Sequence, residues 1–412
     1  MSVPVDVNSL DAMPQKSRLI SLDCYRGGVM LLMVFSSWRW LPPIMNAYPD
    51  NQFLVWLNGQ LQHLEWAGCT IWDMIQPSFM FMVGVSLAFS VQSRFASGQS
   101  FSHMFRHAMK RAIILILLGI FLRSFAFKGT YWTFEDVLTQ IGLGYIPLFL
   151  LASRSVKVQC IAFAAILVMY WALFALWPLP GPDYDYAAVN ADESGVRFGG
   201  FAAHWDKNAN PAHYFDRWFL NLFSRPTRND GVVIGEFHHH SGGYHTLSFI
   251  PSIATMLMGL LAGQWLQVRK RERIKLSALL IAGALSMLIA KGLDVTGVCP
   301  IVKRIWTPSW VLFSGGICLV VLATLYAVLD IARWQKWAFP LVVVGLNPIT
   351  FYVMSWTMVD AVNSNLRRHL GPTFFNSVAG DVFGPLIGTL SMVAILWLIV
   401  YWMYKQKLFI RI

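Results

Sequence analysis

His63 stands in the stretch His63-Leu-Glu65-Trp66-Ala-Gly68, just ahead of an apolar run that carries Asp73, Gln76 and Pro77. An imidazole titrates near neutrality, so a histidine here can take a proton from a reacting group or attack as a nucleophile. Asp73 or Glu65 can orient the ring. Asp73 and Gln76 are polar groups within apolar sequence, and Pro77 should kink any helix that contains it. Histidines at such edges are commonly plain interfacial residues, so the residues alone leave base and anchor both open.

Other groups invite the same question. Asp23 and Arg26 are three apart, so on a helix they share a face. They are either an anion site for a nucleotide or a structural ion pair. The stretch Glu236-Phe-His238-His239-His240-Ser-Gly-Gly-Tyr-His245 is rich in imidazoles. Consecutive histidines do not readily share one tetrahedral centre, so no metal is expected there. A polar loop or contact with a polar substrate fits better. Asn347-Pro348, Gln140, Asp294, Lys303, Arg304 and Trp306 could line a pocket or serve packing. No nucleophile elbow, P-loop, zincin or dinucleotide fingerprint is present. The cysteines Cys24, Cys69, Cys160, Cys299 and Cys318 fit no zinc motif or disulfide framework. They read as apolar fillers, with a Cys69–Cys299 bridge left open.

The elements that must position these residues are apolar. Hydrophobic residues make up 56% of the 412 and charged residues 13%. Soluble domains carry about 25% charged residues. The net charge of +11 lies in short clusters between apolar runs, a distribution of membrane proteins and not of nucleic-acid binders. A spanning helix needs about 20 apolar residues. About ten candidates appear, at 20–40, 68–91, 112–127, 136–152, 159–177, 246–268, 276–294, 309–330, 338–357 and 383–404. Basic clusters occupy alternate connections, among them Arg94/Arg106/Lys110/Arg111, Arg269/Lys270/Arg271/Arg273/Lys275 and Lys405/Lys407/Arg411. Positive-inside orientation then puts both termini in the cytosol. Residues 1–18 read as a short cytosolic tail without a cleavable signal peptide. Loops 41–66, 178–245, 295–308 and 358–382 face outward. The long loop 178–245 shows amphipathic spacing around Tyr214, Phe215, Trp218, Phe219 and Phe223, which predicts a short interfacial helix. The expected fold is an all-α polytopic membrane protein, one domain over residues 1–412.

Taken in order, these residues resemble the heparan-α-glucosaminide N-acetyltransferase family and its bacterial relatives. Arg18-Leu-x-Ser21-Leu-Asp23-x-x-Arg26-Gly27 resembles that family's first helix. His63-x-x-Trp66-x-Gly68 with Asp73, Pro77, Phe79, Phe81, Gly84 and Ser86 resembles its second. Asp216-Arg217, Gly259-x-x-Ala262-Gly263, Lys303-x-x-Trp306-x-x-Ser309, Gly345-x-Asn347 and Lys407-x-Phe409 continue the likeness. It implies transfer of an acetyl group from cytosolic acetyl-CoA to the amine of a glucosamine-type sugar on the outer, periplasmic side of a bacterial inner membrane. The family's active-site histidine falls on His63, as general base or acyl carrier. Asp73 would orient it, and Ser37 or Asn347 would polarise the thioester carbonyl. Arg18, Asp23, Arg26, Lys110 and Arg111 would hold CoA. Glu65, Trp66, His245, Lys303 and Trp306 would meet the acceptor. Membrane lipid is the surroundings, and a homodimer is expected by analogy only. This chain departs from the family at Ser37, where an Asn is usual, at Thr139-Gln140 and at Gly242-Gly-Tyr-His245. The competing classes are an amino-sugar secondary transporter without chemistry, and an O-acetyltransferase of a cell-envelope glycan.

Overall fold

A computed structural model describes residues 19–35, 39–192, 195–233 and 235–410. Ser37 and Arg18 lie outside the described residues. Among those described the fold is all helical, with three isolated backbone bridges and no sheet.

Each predicted apolar segment contains a helix. These are α1 (Ile20–Val34), α4 (Ile75–Ala96), α5 (Phe101–Arg123), α6 (Val137–Ala152), α7 (Val156–Ala175), α9 (Phe249–Gln267), α10 (Glu272–Val295) and α11 (Pro308–Leu325), then the pair α12 (Phe339–Leu346) and α13 (Pro348–Thr357), and finally α15 (Phe374–Lys405). Six stretches are long and apolar enough to cross a membrane, centred on α4, α7, α9, α10, α11 and α15. α12 and α13 make a seventh if counted as one span, although they meet at a 73° bend. α1 has 15 residues, and α6 is a shorter apolar helix. α5 puts its first half into His103, Arg106, His107, Lys110 and Arg111. The chain is a multi-pass membrane protein.

The connections are more structured than the sequence reading expects. Loop 41–66 contains α2 (Leu41–Ala47) and α3 (Gln52–Gln60), the long loop contains α8 (Pro211–Phe219), and 358–382 holds α14 (Val359–Leu370) with the first turns of α15. α14 is polar on balance and has no fully buried residue, though Val359, Val362 and Leu366 pack against the core, so it lacks the apolar run that marks a span. Gly371 at its end and Gly380 inside α15 take positive φ, 98° and 70°. Helix starts follow their caps. The Asn51 side chain accepts from the backbone of Phe53 and Leu54, Asp136 from Leu138 and Thr139, and Asn210 from Ala212 and His213. Pro211 and Pro308 then occupy first-turn positions where no N–H is needed.

Two seams bring backbones into contact. A methyl group at Gly84 on α4 would lie 1.8 Å from the Met256 carbonyl oxygen on α9, and one at Gly259 would lie 1.9 Å from that of Phe81. Gly27 on α1 and Gly345 on α12 face Leu341 and Asp23 in the same way. Small residues let helices approach where no hydrophobic drive separates lipid from protein. Gly84→Leu is therefore expected to abolish monodisperse folded protein on size exclusion. Gly292→Ala, which meets open space inside α10, is expected to hold or slightly raise the melting temperature.

Candidate active site

Three connections meet at one end of the bundle. The loop 61–71 lies against the loop 299–307: Gly68 N–H donates to the Ile301 carbonyl at 2.9 Å, and Ala67 bridges Val302. Trp66 is buried and its indole N–H donates to the Trp205 carbonyl at 3.0 Å, tying this loop to the long connection. In the 299–307 loop, Thr307 Oγ1 donates to the Pro300 carbonyl and accepts from Val302 N–H. Trp306 closes the turn at φ 52°. That turn sends Lys303 and Arg304 toward the 61–71 loop.

Asp73 sits in a tight turn (Trp72–Met74) at the head of α4. Its Oδ2 accepts from Thr70 Oγ1 at 3.0 Å and from the backbone of Thr70 and Leu64. Its Oδ1 lies 2.7 Å from His63 Nδ1 and accepts from Lys303 Nζ at 3.1 Å. Asp73 and Lys303 are buried, at 2% and 5% exposure, while the His63 side chain is 41% exposed. A carboxylate at Nδ1 fixes the tautomer: Nδ1–H donates to Asp73, and Nε2 keeps its lone pair. Lys303 Nζ also lies 3.1 Å from Nδ1, which disfavours positive charge on the ring. Burial lowers the His63 pKa below the ordinary imidazole value, and the charges of Lys303 and Arg304 add to that, against the pull of Asp73. The result is a neutral, oriented imidazole with a free nitrogen at an open mouth, suited to accept a proton or attack a carbonyl.

Arg304 ties the mouth together. Its guanidinium donates to the carbonyls of Gly242 and Leu64. It also stands 5.2 Å from the centre of the Tyr244 ring, which sits edge-on to His63 at 6.4 Å. Sequence reasoning named Lys303 for the acceptor and passed over Tyr244. Neither the Lys303–Asp73 bond nor the place of Tyr244 has a local signal, because the partners lie 230 positions apart for the first and on separate loops for the second.

The other predicted residues are distributed as follows. Glu65 is exposed beside His63. Trp66 and Trp306 are buried, Trp306 donating to Thr255 Oγ1 at 3.1 Å, so both pack beneath the site. His245 is fully buried, with Nδ1 3.2 Å from Asp216 Oδ2. Asp23 and Arg26 pair at 3.3 Å on α1, and Arg26 also donates to Ser86 on α4. Arg111 donates to the Tyr145 hydroxyl at 3.0 Å, and Lys110 is exposed. These four lie toward the other end of the bundle. Asn347, at the α12–α13 break, spends its amide on the Leu408 carbonyl and the Ile410 N–H, away from His63. Cys69 and Cys299 are free thiols. Among the described residues no three His, Cys, Asp or Glu side chains group as metal ligands.

No family model matches the chain. It is 25% identical over 454 residues to heparan-alpha-glucosaminide N-acetyltransferase of Homo sapiens, covering 98% of this chain. It is 24% identical over 445 residues to the enzyme of the same name from Mus musculus, covering 96%. These matches support a family-level relationship. The chain spans 61% of the length of these two relatives.

Two outcomes check the geometry. Carbethoxylation of His63 follows its neutral form, so its rate should be half-maximal below pH 6.5. Lys303→Met removes a charge that lowers this pKa, so the midpoint should move upward. In thermal melting, Asp73→Ala strands a buried ammonium and should cost about 3–5 kcal/mol. Adding Lys303→Met should recover part of that loss.

Proposed function

We propose that this chain is a transmembrane acyltransferase that moves an acetyl group from acetyl-CoA to the amine of a glucosamine-type sugar, with His63 as general base. The His63–Asp73 pair with Lys303 beside it carries this reading. The nitrogen of the acceptor attacks the thioester carbonyl and its proton passes to His63 Nε2. The C–N bond forms, the C–S bond breaks, and the departing sulfur takes the proton from His63. Asp73 holds the ring and balances the imidazolium that forms in between.

The placement of Arg26 supports a donor that enters from the far end. Arg26 bonds Ser86, 13 positions along α4 from Asp73. At 1.5 Å per residue that is about 20 Å, close to the reach of an extended pantetheine arm. A CoA diphosphate near Arg26, assisted by Arg111, would bring its thioester to the His63 end. The basic connections lie at the Arg26 end, so this reading sets that end in the cytosol and the His63 end on the outer side of a bacterial cytoplasmic membrane, with ten spans. Glu65 and Lys303 would then meet the acceptor. His245 and the two tryptophans support the walls.

Purified protein with acetyl-CoA and glucosamine should yield N-acetylglucosamine by mass spectrometry, as a product stable to mild base. His63→Ala should fold normally and lose about a thousandfold in rate, within the usual worth of a general base. Absence of both turnover and thermal stabilisation by CoA in the wild type would overturn the reading.

A further inference from the structure

A second polar pair lies behind Tyr244. His240 is edge-on to Tyr244 at 5.5 Å, and Tyr244 is 6.4 Å from His63. The two imidazoles are thus under about 12 Å apart, within the span of a mono- or disaccharide. His240 Nδ1 accepts from the backbone of Gly242 at 3.0 Å and of Tyr244 at 3.4 Å. Burial holds its pKa down to about 3, so the ring is neutral and its proton resides on Nε2. Nε2 faces Glu135 Oε1 at 3.9 Å, too far for a hydrogen bond. Glu135 is held from its other oxygen, which accepts from Thr133 Oγ1 and Phe134 N–H. Among the described residues neither His240 Nε2 nor Glu135 Oε1 has a hydrogen-bond partner. A fixed donor and a fixed acceptor therefore stand side by side, partly buried and without another bond, at side-chain exposures of 26% and 12%. A hydroxyl, which both donates and accepts, satisfies the two together. Arg304 bonds both the His240 turn, at Gly242, and the His63 loop, at Leu64, so this pair is fixed relative to His63.

We infer that Glu135 and His240 form a hydroxyl-binding subsite that seats the sugar ring of the acceptor and presents its amine to His63 across Tyr244. The inference rests on the acyltransferase reading for its use, but not for its chemistry. It gives a role to the histidine-rich stretch and assigns Glu135 to acceptor specificity.

The test is calorimetric titration of the full chain in detergent with glucosamine and with cyclohexylamine, which has the amine and ring but no hydroxyl. Glu135→Gln keeps the shape of the carboxyl. His240→Asn keeps an acceptor where Nδ1 was and deletes Nε2. Thermal melting of each variant confirms folding, and either folded variant suffices. The wild type should prefer glucosamine by at least about tenfold. Each variant should weaken glucosamine by about tenfold or more and lose the preference. A folded variant that binds glucosamine as the wild type does overturns the subsite, as does a wild type that binds no glucosamine or does not distinguish the two amines. Acetyl transfer measured in parallel separates the claims. Transfer with an unchanged KM in Glu135→Gln removes the subsite and leaves the acyltransferase. Glu135-dependent binding without transfer does the reverse.

Discussion

A buried ammonium and a buried carboxylate at the head of α4 set the terms for this end of the molecule. Lys303 and Asp73 are each nearly inaccessible, and neither can be left alone there without a cost of several kcal/mol. To bring them together the chain must fold the 299–307 turn onto the 61–71 loop. That apposition positions His63 over Asp73 and turns Arg304 toward the Tyr244 loop. The catalytic geometry proposed here is thus a by-product of solving a desolvation problem. The same pair tunes the ring: Asp73 fixes which nitrogen carries the proton, while Lys303 restrains the charge on it.

The interior answers to a different constraint. Between spans, apolar contact distinguishes poorly between helix and lipid, so close approach depends on the absence of side chains. Gly84 and Gly259 on one seam, and Gly27 and Gly345 on the other, put carbonyl oxygens where a methyl would stand. The seams lock α4 to α9 and α1 to α12. Polar side chains then meet across other faces of α4, with Gln76 on Gln140 and Ser78 on the Tyr25 hydroxyl.

Much of this was legible in the residues. Apolar runs located the long helices because composition alone reports them. The pairing of Asp23 with Arg26 followed from a three-residue spacing. His63 with Asp73 came from one short motif, and it became specific through a resemblance over most of the chain. What stayed hidden was non-local. Asp73 finds Lys303, and Glu135 finds His240, only after the loops fold together, and no periodicity announces such a meeting. Asn347 shows the converse. Its position within an apolar segment suggested a polar wall for the site, whereas the chain uses it to satisfy backbone from residues 408–410. α14 was missed because its helix-compatible sequence is too polar to read as a span.

The Asn347 arrangement has a mechanical side. Its amide accepts from one backbone N–H and donates to one carbonyl of the same short segment, as a neighbouring strand would. Residues 408–410 are thereby pinned to the elbow between α12 and α13. Holding that segment costs the bend no unpaired amide, because both ends of the Asn347 side chain are used. Without it, the Asn347 amide would be stranded at the bend, next to the helix that forms the seam with α1.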